Sequence, residues 1–332
     1  MPSQKSVQVI RFAWFVVVLI ATLALFNYPR TWGQELISET SLLWMPLCVG
    51  VMVFQLARFT TVPFSLLGIA LFVLQLMCVV RTVHVAVPYL YAPPKGYPTL
   101  SYAEPIRFLL IDISERSWSD HPEAVASLVD IENPKVVIVL RYSDDPVLSS
   151  STERYPFTLK SSLTSDRTVE IFSKIPFQSP ERNEFGYGAL PAVFGVLQIG
   201  DGAHLQLGAL DLLPAYSQDA FVKSRLTSRR LASSLRYTKE PRMVVGAFRA
   251  SITSQIVDMY VDQLRLRSIF FDSGILKMRD LFAHSLAFKN NLNGFTARNI
   301  EISRVVELNA ADEGFSAILF DARIPKTSQP DG

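Results

Sequence analysis

Two stretches decide the fold class: Ile106-Arg107-Phe108-Leu109-Leu110-Ile111-Asp112, and Asn133-Pro134-Lys135-Val136-Val137-Ile138-Val139-Leu140-Arg141. The first is apolar from Phe108 to Ile111 and again at Ile113 just past Asp112, and the second is apolar from Val136 to Leu140, so the segments of interest are Phe108–Ile113 and Val136–Leu140. Such runs, bounded by polar residues and too short for a helix, read as buried strands. Pro122–Ile131 between them reads as a helix. Downstream, Ala189–Gln198, His204–Leu210 and Met243–Phe248 read as further strands, and Gly200-Asp201-Gly202 is a hairpin turn between the first two. Ala220–Tyr237 reads as a helix with Phe221, Leu226, Leu231 and Leu235 on or near one face. Strand pairs with interspersed helices predict a layered α/β domain.

Upstream the character changes. Three apolar spans, Phe12–Phe26, Leu42–Ala57 and Phe64–Val80, each approach the roughly 17–25 residues that cross a bilayer as a helix. Trp14, Tyr28, Trp32 and Trp44 sit where interfacial anchors belong. A cleaved signal peptide is the competing reading of the first span. Against it, Asn27-Tyr28-Pro29-Arg30 offers no small-x-small site, and two further spans follow. Lys5 and Arg11 precede span one and Arg58 separates spans two and three, which predicts a cytoplasmic N-terminus and a domain on the outer side; Arg81 alone votes the other way. Pro88, Pro93, Pro94, Gly96 and Pro98 mark an extended linker. The expected organisation is an anchor of three transmembrane helices at 1–81, a Pro-rich linker at 82–104, a globular domain at 105–325 and a disordered tail at 326–332.

Charge and cysteine content exclude several functions. Residues 1–81 carry a net charge of +3, and the remainder is nearly neutral at −1. A near-neutral domain lacks the clustered cations that nucleic acid requires, so no nucleic-acid partner is expected. The basic run from Lys223 to Arg236 reads as a solvated helix face. Cys48 and Cys78 both lie in apolar spans, so the domain has neither thiol catalysis nor disulfides. Ser149–Thr152, Asp144-Asp145, Asp312-Glu313 and Gly186-Tyr187-Gly188 read as loops and turns.

The segment from Ile106 to about Ile324 resembles the endonuclease/exonuclease/phosphatase superfamily, in particular its bacterial membrane-anchored subgroup. The opening strand ending at Asp112 resembles the family's first strand, which normally ends in Asn. Residues 133–141 resemble "PDVVxLQE", and Tyr155-Pro156 with Ile171–Pro176 resemble "yP … lSRxP". Pro241-Arg242-Met243-Val244-Val245-Gly246-Ala247-Phe248-Arg249-Ala250-Ser251 resembles "PvIvaGDFNA". The resemblance implies an α/β (α+β) four-layer sandwich, with two β-sheets packed face to face between helices.

It also implies which residues stand where family members keep a magnesium ion and a catalytic histidine for phosphoester hydrolysis. Asp112 stands for the opening Asn, Arg141 for the metal-binding Glu, and Asp211 for the histidine of a "xHxxP" segment. Ala247 and Arg249 replace the Asp and Asn of "GDFN". Arg298 falls near the late Asp, and Phe315 near the closing "SDH". A guanidinium keeps its proton at every relevant pH, so Arg141 would put a permanent cation in the place of a divalent one. Histidines 84, 121, 204 and 284 fall outside these positions. The expectation is a pseudoenzyme with no catalytic residue, metal or cofactor.

Three arrangements of the old cleft stay open: an ion-pair cluster of Asp112 and Asp211 with Arg141, Arg249 and Arg298, scattered residues facing solvent, or an anion site. The expected function is a scaffold or interaction subunit in the bacterial inner membrane and cell envelope. Its partners would be the lipid bilayer and another membrane or envelope protein. A divergent metal-dependent phosphoesterase and an anion or lipid-headgroup binder are the alternatives.

Overall fold

The computed structural model describes residues 4–26, 32–33, 35, 41–59, 66–90, 100–113, 122–142, 154–161, 167–178, 185, 188–200, 202–236, 240–250, 254–269, 292–297, 299–310 and 315–326. Three helices come first: α1 (Gln4–Phe26), α2 (Ser41–Phe59) and α3 (Leu66–Leu90). Both α1 and α2 pack against α3. Val18 and Ala21 of α1 meet Leu71 and Cys78 of α3. Thr22 Oγ1 donates to the Val18 carbonyl at 2.7 Å and lies 3.0 Å from Cys78 Sγ. Gln75 and Thr82 are buried too, while Ile10, Phe12, Val53, Phe54 and Leu66 are exposed. Thr22, Gln75 and Thr82 are thus buried alongside Val18, Ala21, Leu71 and Cys78, while many large apolar side chains are exposed.

One helical stretch, Leu66–His84, is long and apolar enough to cross a membrane, with a mean hydropathy of 2.2. Phe12–Thr22 and Trp44–Ala57 are shorter apolar stretches among the described residues. α3 carries on to Leu90, into the stretch that the prolines mark as linker. The domain's edge is set further along, where Ala103 N donates to Ile324 O at 2.9 Å and Lys326 N to Ser101 O at 2.8 Å.

The domain then runs β1 (Ile106–Ile113), α4 (Pro122–Glu132), β2 (Val136–Arg141), β3 (Phe157–Lys160), β4 (Thr168–Ser173), β5 (Ala192–Gly200), β6 (Ala203–Asp211), α5 (Gln218–Arg236), β7 (Arg242–Ala247), α6 (Gln255–Asp258), β8 (Leu266–Ser268), β9 (Leu292–Ala297), β10 (Glu301–Ala310) and β11 (Phe315–Arg323). One sheet has the order β10-β11-β1-β2-β4-β3 and the other β5-β6-β7-β9-β8. Each sheet contains one parallel pair, β1 with β2 and β6 with β7, bridged by α4 and α5 respectively. A parallel neighbour needs such a crossover, because a tight turn can only return the chain antiparallel.

The doubly buried strands explain the layers. On β1, Phe108 and Leu110 point into the space between the sheets and meet Leu207, Ala209 and Val245, with Phe108 stacked on Phe320 at 5.1 Å. The alternate residues Leu109 and Ile111 face Val125 and Val129 of α4. On the far side, Leu210 and Val244 pack with Leu231 and Leu235 of α5 and with an edge-on aromatic group of Phe248, Tyr260 and Phe295. Ser217 starts α5 by accepting the Ala220 N–H on its hydroxyl at 3.2 Å, as an N-cap does. Helix, sheet, sheet, helix is the four-layer order that the resemblance implies.

Candidate functional site

Parallel pairs with helical crossovers send their chains out of the sheet at the strands' carboxyl ends. In open α/β sheets those ends are where ligand sites form. Asp112 stands near the end of β1 and Asp211 ends β6, in register with Leu140 and Ala247 respectively. Face-to-face packing brings the two ends together, and Arg249, just beyond β7, reaches between them. Its Nη2 donates to Asp112 Oδ2 at 3.0 Å and its Nε to Asp211 Oδ1 at 3.2 Å. Arg167, just before β4, donates from Nη1 to the second Asp211 oxygen at 3.1 Å and lies over the Tyr142 ring at 5.3 Å. The side chains of Asp112 and Asp211 are fully buried and that of Arg249 is 6% exposed.

Among the described residues, two carboxylates and two guanidinium groups meet here, and such mutual pairing is the condition under which buried ions are tolerated. Complete removal from water is the largest influence on the Asp211 carboxyl and pushes it above its ordinary value of 3.8; Arg249 and then Arg167 pull it down, and Asp112 pushes it up again. Burial wins, so the folded chain holds this proton more tightly than the unfolded chain does. The stability it contributes is therefore full below the ordinary Asp value and is lost as pH rises through the raised folded value. Asp211→Asn removes this titration. The stability of the natural protein relative to that variant should fall as pH rises from mild acid towards neutral. Urea unfolding of both proteins over that range checks it, and a difference that stays flat or grows contradicts it.

The remaining sequence-predicted positions fall elsewhere. Arg141 is in register with Ile113 and not with Asp112, and this one-residue offset turns it to the face that Ile113 and Val139 share. There its Nη2 donates to Glu170 Oε2 at 2.8 Å. Arg141 is thus set apart from the pair it was expected to face. Ala247 is part of the core between the sheets, and Phe315 packs with Leu109 and Ile111 on the outer side of the first sheet. Arg298 lies outside the described residues, as do Ser149–Thr152, Asp144-Asp145 and Asp312-Glu313.

Sequence reasoning missed Arg167 and Glu170. Their signal was the antiparallel return of β4 along β2, which pairs Arg141 with Thr168 and so brings position 167 back to the end of β2.

The nearest thing to a metal-binding pair, Asp112 and Asp211, is already spanned by Arg249. A divalent ion between them would meet the guanidinium that both carboxylates hold. Among the described residues, no group of three or more His, Cys, Asp and Glu side chains is placed to hold a metal. The residues present do not fit the magnesium ion that the resemblance implies.

No family model matches the chain, and no curated protein matches it. Solved structures do. The human Nocturnin catalytic domain is 11% identical with a TM-score of 0.47, over 66% of this chain and 94% of that one. An endonuclease/exonuclease/phosphatase from Beutenbergia cavernae is 12% identical with a TM-score of 0.47, over 66% and 72%. A mannosyl-6-phosphatase from Bacteroides thetaiotaomicron is 10% identical with a TM-score of 0.44, over 65% and 99%. The chain is similar to structures of the endonuclease/exonuclease/phosphatase superfamily. At about a tenth of positions identical, this likeness concerns the fold and leaves the chemistry to be read from the charge cluster itself.

Proposed function

We propose that this chain is a membrane-anchored pseudoenzyme, whose superfamily-like domain serves as a scaffold or interaction subunit of a bacterial cell envelope. The observation that carries the reading is the Arg249 fork between Asp112 and Asp211. It fills with a fixed cation the place where a hydrolase of this kind would put a divalent ion. A catalytic metal must exchange ligands as charge develops on the phosphoryl oxygens. A guanidinium tied to two carboxylates can donate hydrogen bonds, but it has no coordination position to exchange and cannot activate a water as a metal does.

Membrane anchoring is supported by the many exposed large apolar side chains of the helix bundle and by the apolar length of Leu66–His84. On this reading the N-terminus and Arg58 are cytoplasmic, and the domain stands on the outer side of the inner membrane, presenting its surface to a protein partner. The test is hydrolysis of generic phosphodiester and phosphomonoester substrates by the full chain in mild detergent with magnesium or manganese. The expected rate equals that of the protein-free blank, with and without chelator. Hydrolysis that a chelator abolishes would overturn the pseudoenzyme reading.

A further inference from the structure

Two described residues between α1 and α2, Trp32 and Glu35, reach the globular domain. Trp32 Nε1 donates to the carbonyl of Ala215, in the connection from β6 to α5. Glu35 accepts a hydrogen bond from the hydroxyl of Ser254, in the connection from β7 to α6. Glu35, Ser254 and Ala215 are all buried. Ser254 Oγ also accepts the Ile256 N–H at 3.1 Å, which leaves the hydroxyl's own proton to point at the carboxylate. The donor and acceptor roles are therefore satisfied in a single arrangement. Ala215 and Ser254 lie on the two connections that leave the ends of β6 and β7, just beyond Asp211 and Arg249 in the chain.

A carboxylate is costly to bury without a partner, and the first 81 residues contain only Glu35 and Glu39 as acids. A loop whose sole task was to join two apolar helices would leave Glu35 in water. Here it is buried against the globular domain, far along the chain. Indole N–H and carboxylate together grip the two loops that frame the charge cluster.

We propose that the connection between α1 and α2 is a docking tongue of the anchor, seated between the β6–α5 and β7–α6 connections, so that anchor and domain form one unit instead of a domain on a loose tether. One consequence rests on the membrane reading given above. A tongue that touches the domain must lie on the domain's side of the bilayer. α2, 19 residues and so about 28 Å long, then carries position 58 to the opposite side. The contact thus sets the domain and position 58 on opposite sides, and the basic residues flanking the spans assign which of those sides is cytoplasmic.

The experiment uses the full chain with Cys48→Ala and Cys78→Ala. Into this background go Gly33→Cys with Tyr216→Cys, and separately Gly33→Cys with Ala215→Cys, which leave Trp32, Glu35 and Ser254 in place; an added Cβ at Gly33 meets nothing within 4 Å, and Tyr216 beside Ala215 is exposed. Arg58→Cys with Tyr216→Cys is the control. After a short bis-maleimide treatment in mild detergent, mass spectrometry of the digest should find the linked peptides of the first two pairs about tenfold more often than those of the control, because held groups share a high effective concentration. Linkage no greater than the control in both pairs overturns the docking. In sealed vesicles, an impermeant thiol reagent should label positions 33 and 216 from the same side and position 58 from the other. Linkage with opposite labelling of 33 and 58 absent would sink the membrane reading while leaving the docking intact.

Discussion

Arg249→Met is expected to destabilise the domain by about 3–5 kcal/mol, the usual cost of stranding buried charge. The substitution keeps the length and apolar stem of the side chain, so packing loss is small. Among the described residues it removes the cation that touches both Asp112 and Asp211, with Arg167 left on one oxygen of Asp211. One fully buried carboxylate then loses this partner outright, and the other keeps half of its pairing. Urea unfolding followed by circular dichroism measures the loss.

Arg141→Met provides the contrast. Its partner Glu170 is 16% exposed and can turn towards water, so the expected loss is nearer 1–2 kcal/mol. If the two variants lose stability equally, the Asp112–Arg249–Asp211 cluster is not the special structural element described above. A variant replacing Asp112, Asp211, Arg249 and Arg167 together with apolar residues of similar volume should recover most of the loss, since desolvation and attraction nearly offset in such clusters.

The backbone of Arg249 supports the same argument. It sits at φ 46°, in the left-handed region where Asn and Gly are comfortable and a long side chain is not. The superfamily resemblance places Asn at this position. The two ion pairs hold a conformation that disfavours the residue itself.

The second large effect is expected from Gly246→Ala. Gly246 has φ 145°, and a Cβ there would lie 1.9 Å from the Leu210 carbonyl oxygen. That oxygen belongs to the strand paired with it in parallel, one residue before Asp211. No rotamer relieves a clash with backbone, so β6 and β7 would have to separate where they position Asp211 and Arg249. The expected loss is roughly 4 kcal/mol or more, enough to cut the yield of folded protein sharply. Gly202→Ala is the control. Its φ of 74° is also left-handed, but nothing lies within 4 Å, and the cost should be about 1 kcal/mol. Similar losses in the two variants would mean that β6 and β7 are not held this closely.

Much of the architecture was legible because it depends on local pattern. The doubly apolar runs of β1 and β2 had to be buried on both faces, and the hairpin of β5 and β6 follows from the glycines on either side of Asp201. The start of β10 and all of β8 were less legible. β8 has three residues, and β10 is broken by a register shift between Ser303 and Val306 and carries charges along its length, so neither shows a clear period.

Residue identities alone determined which side chains stand where the superfamily resemblance puts a metal ligand set and a histidine: Asp112, Arg141, Asp211, Ala247 and Arg249. Only the tertiary structure decided which of those charges meet. Asp112, Asp211 and Arg249 come from strand ends far apart in sequence and converge because two sheets pack face to face, whereas a one-residue offset in register sends Arg141 to the other face. Arg167 joins them for the same reason. Side-chain direction in a sheet changes with every residue, so the partners of a charge are set by pairing register and layer packing, which no local stretch of sequence encodes.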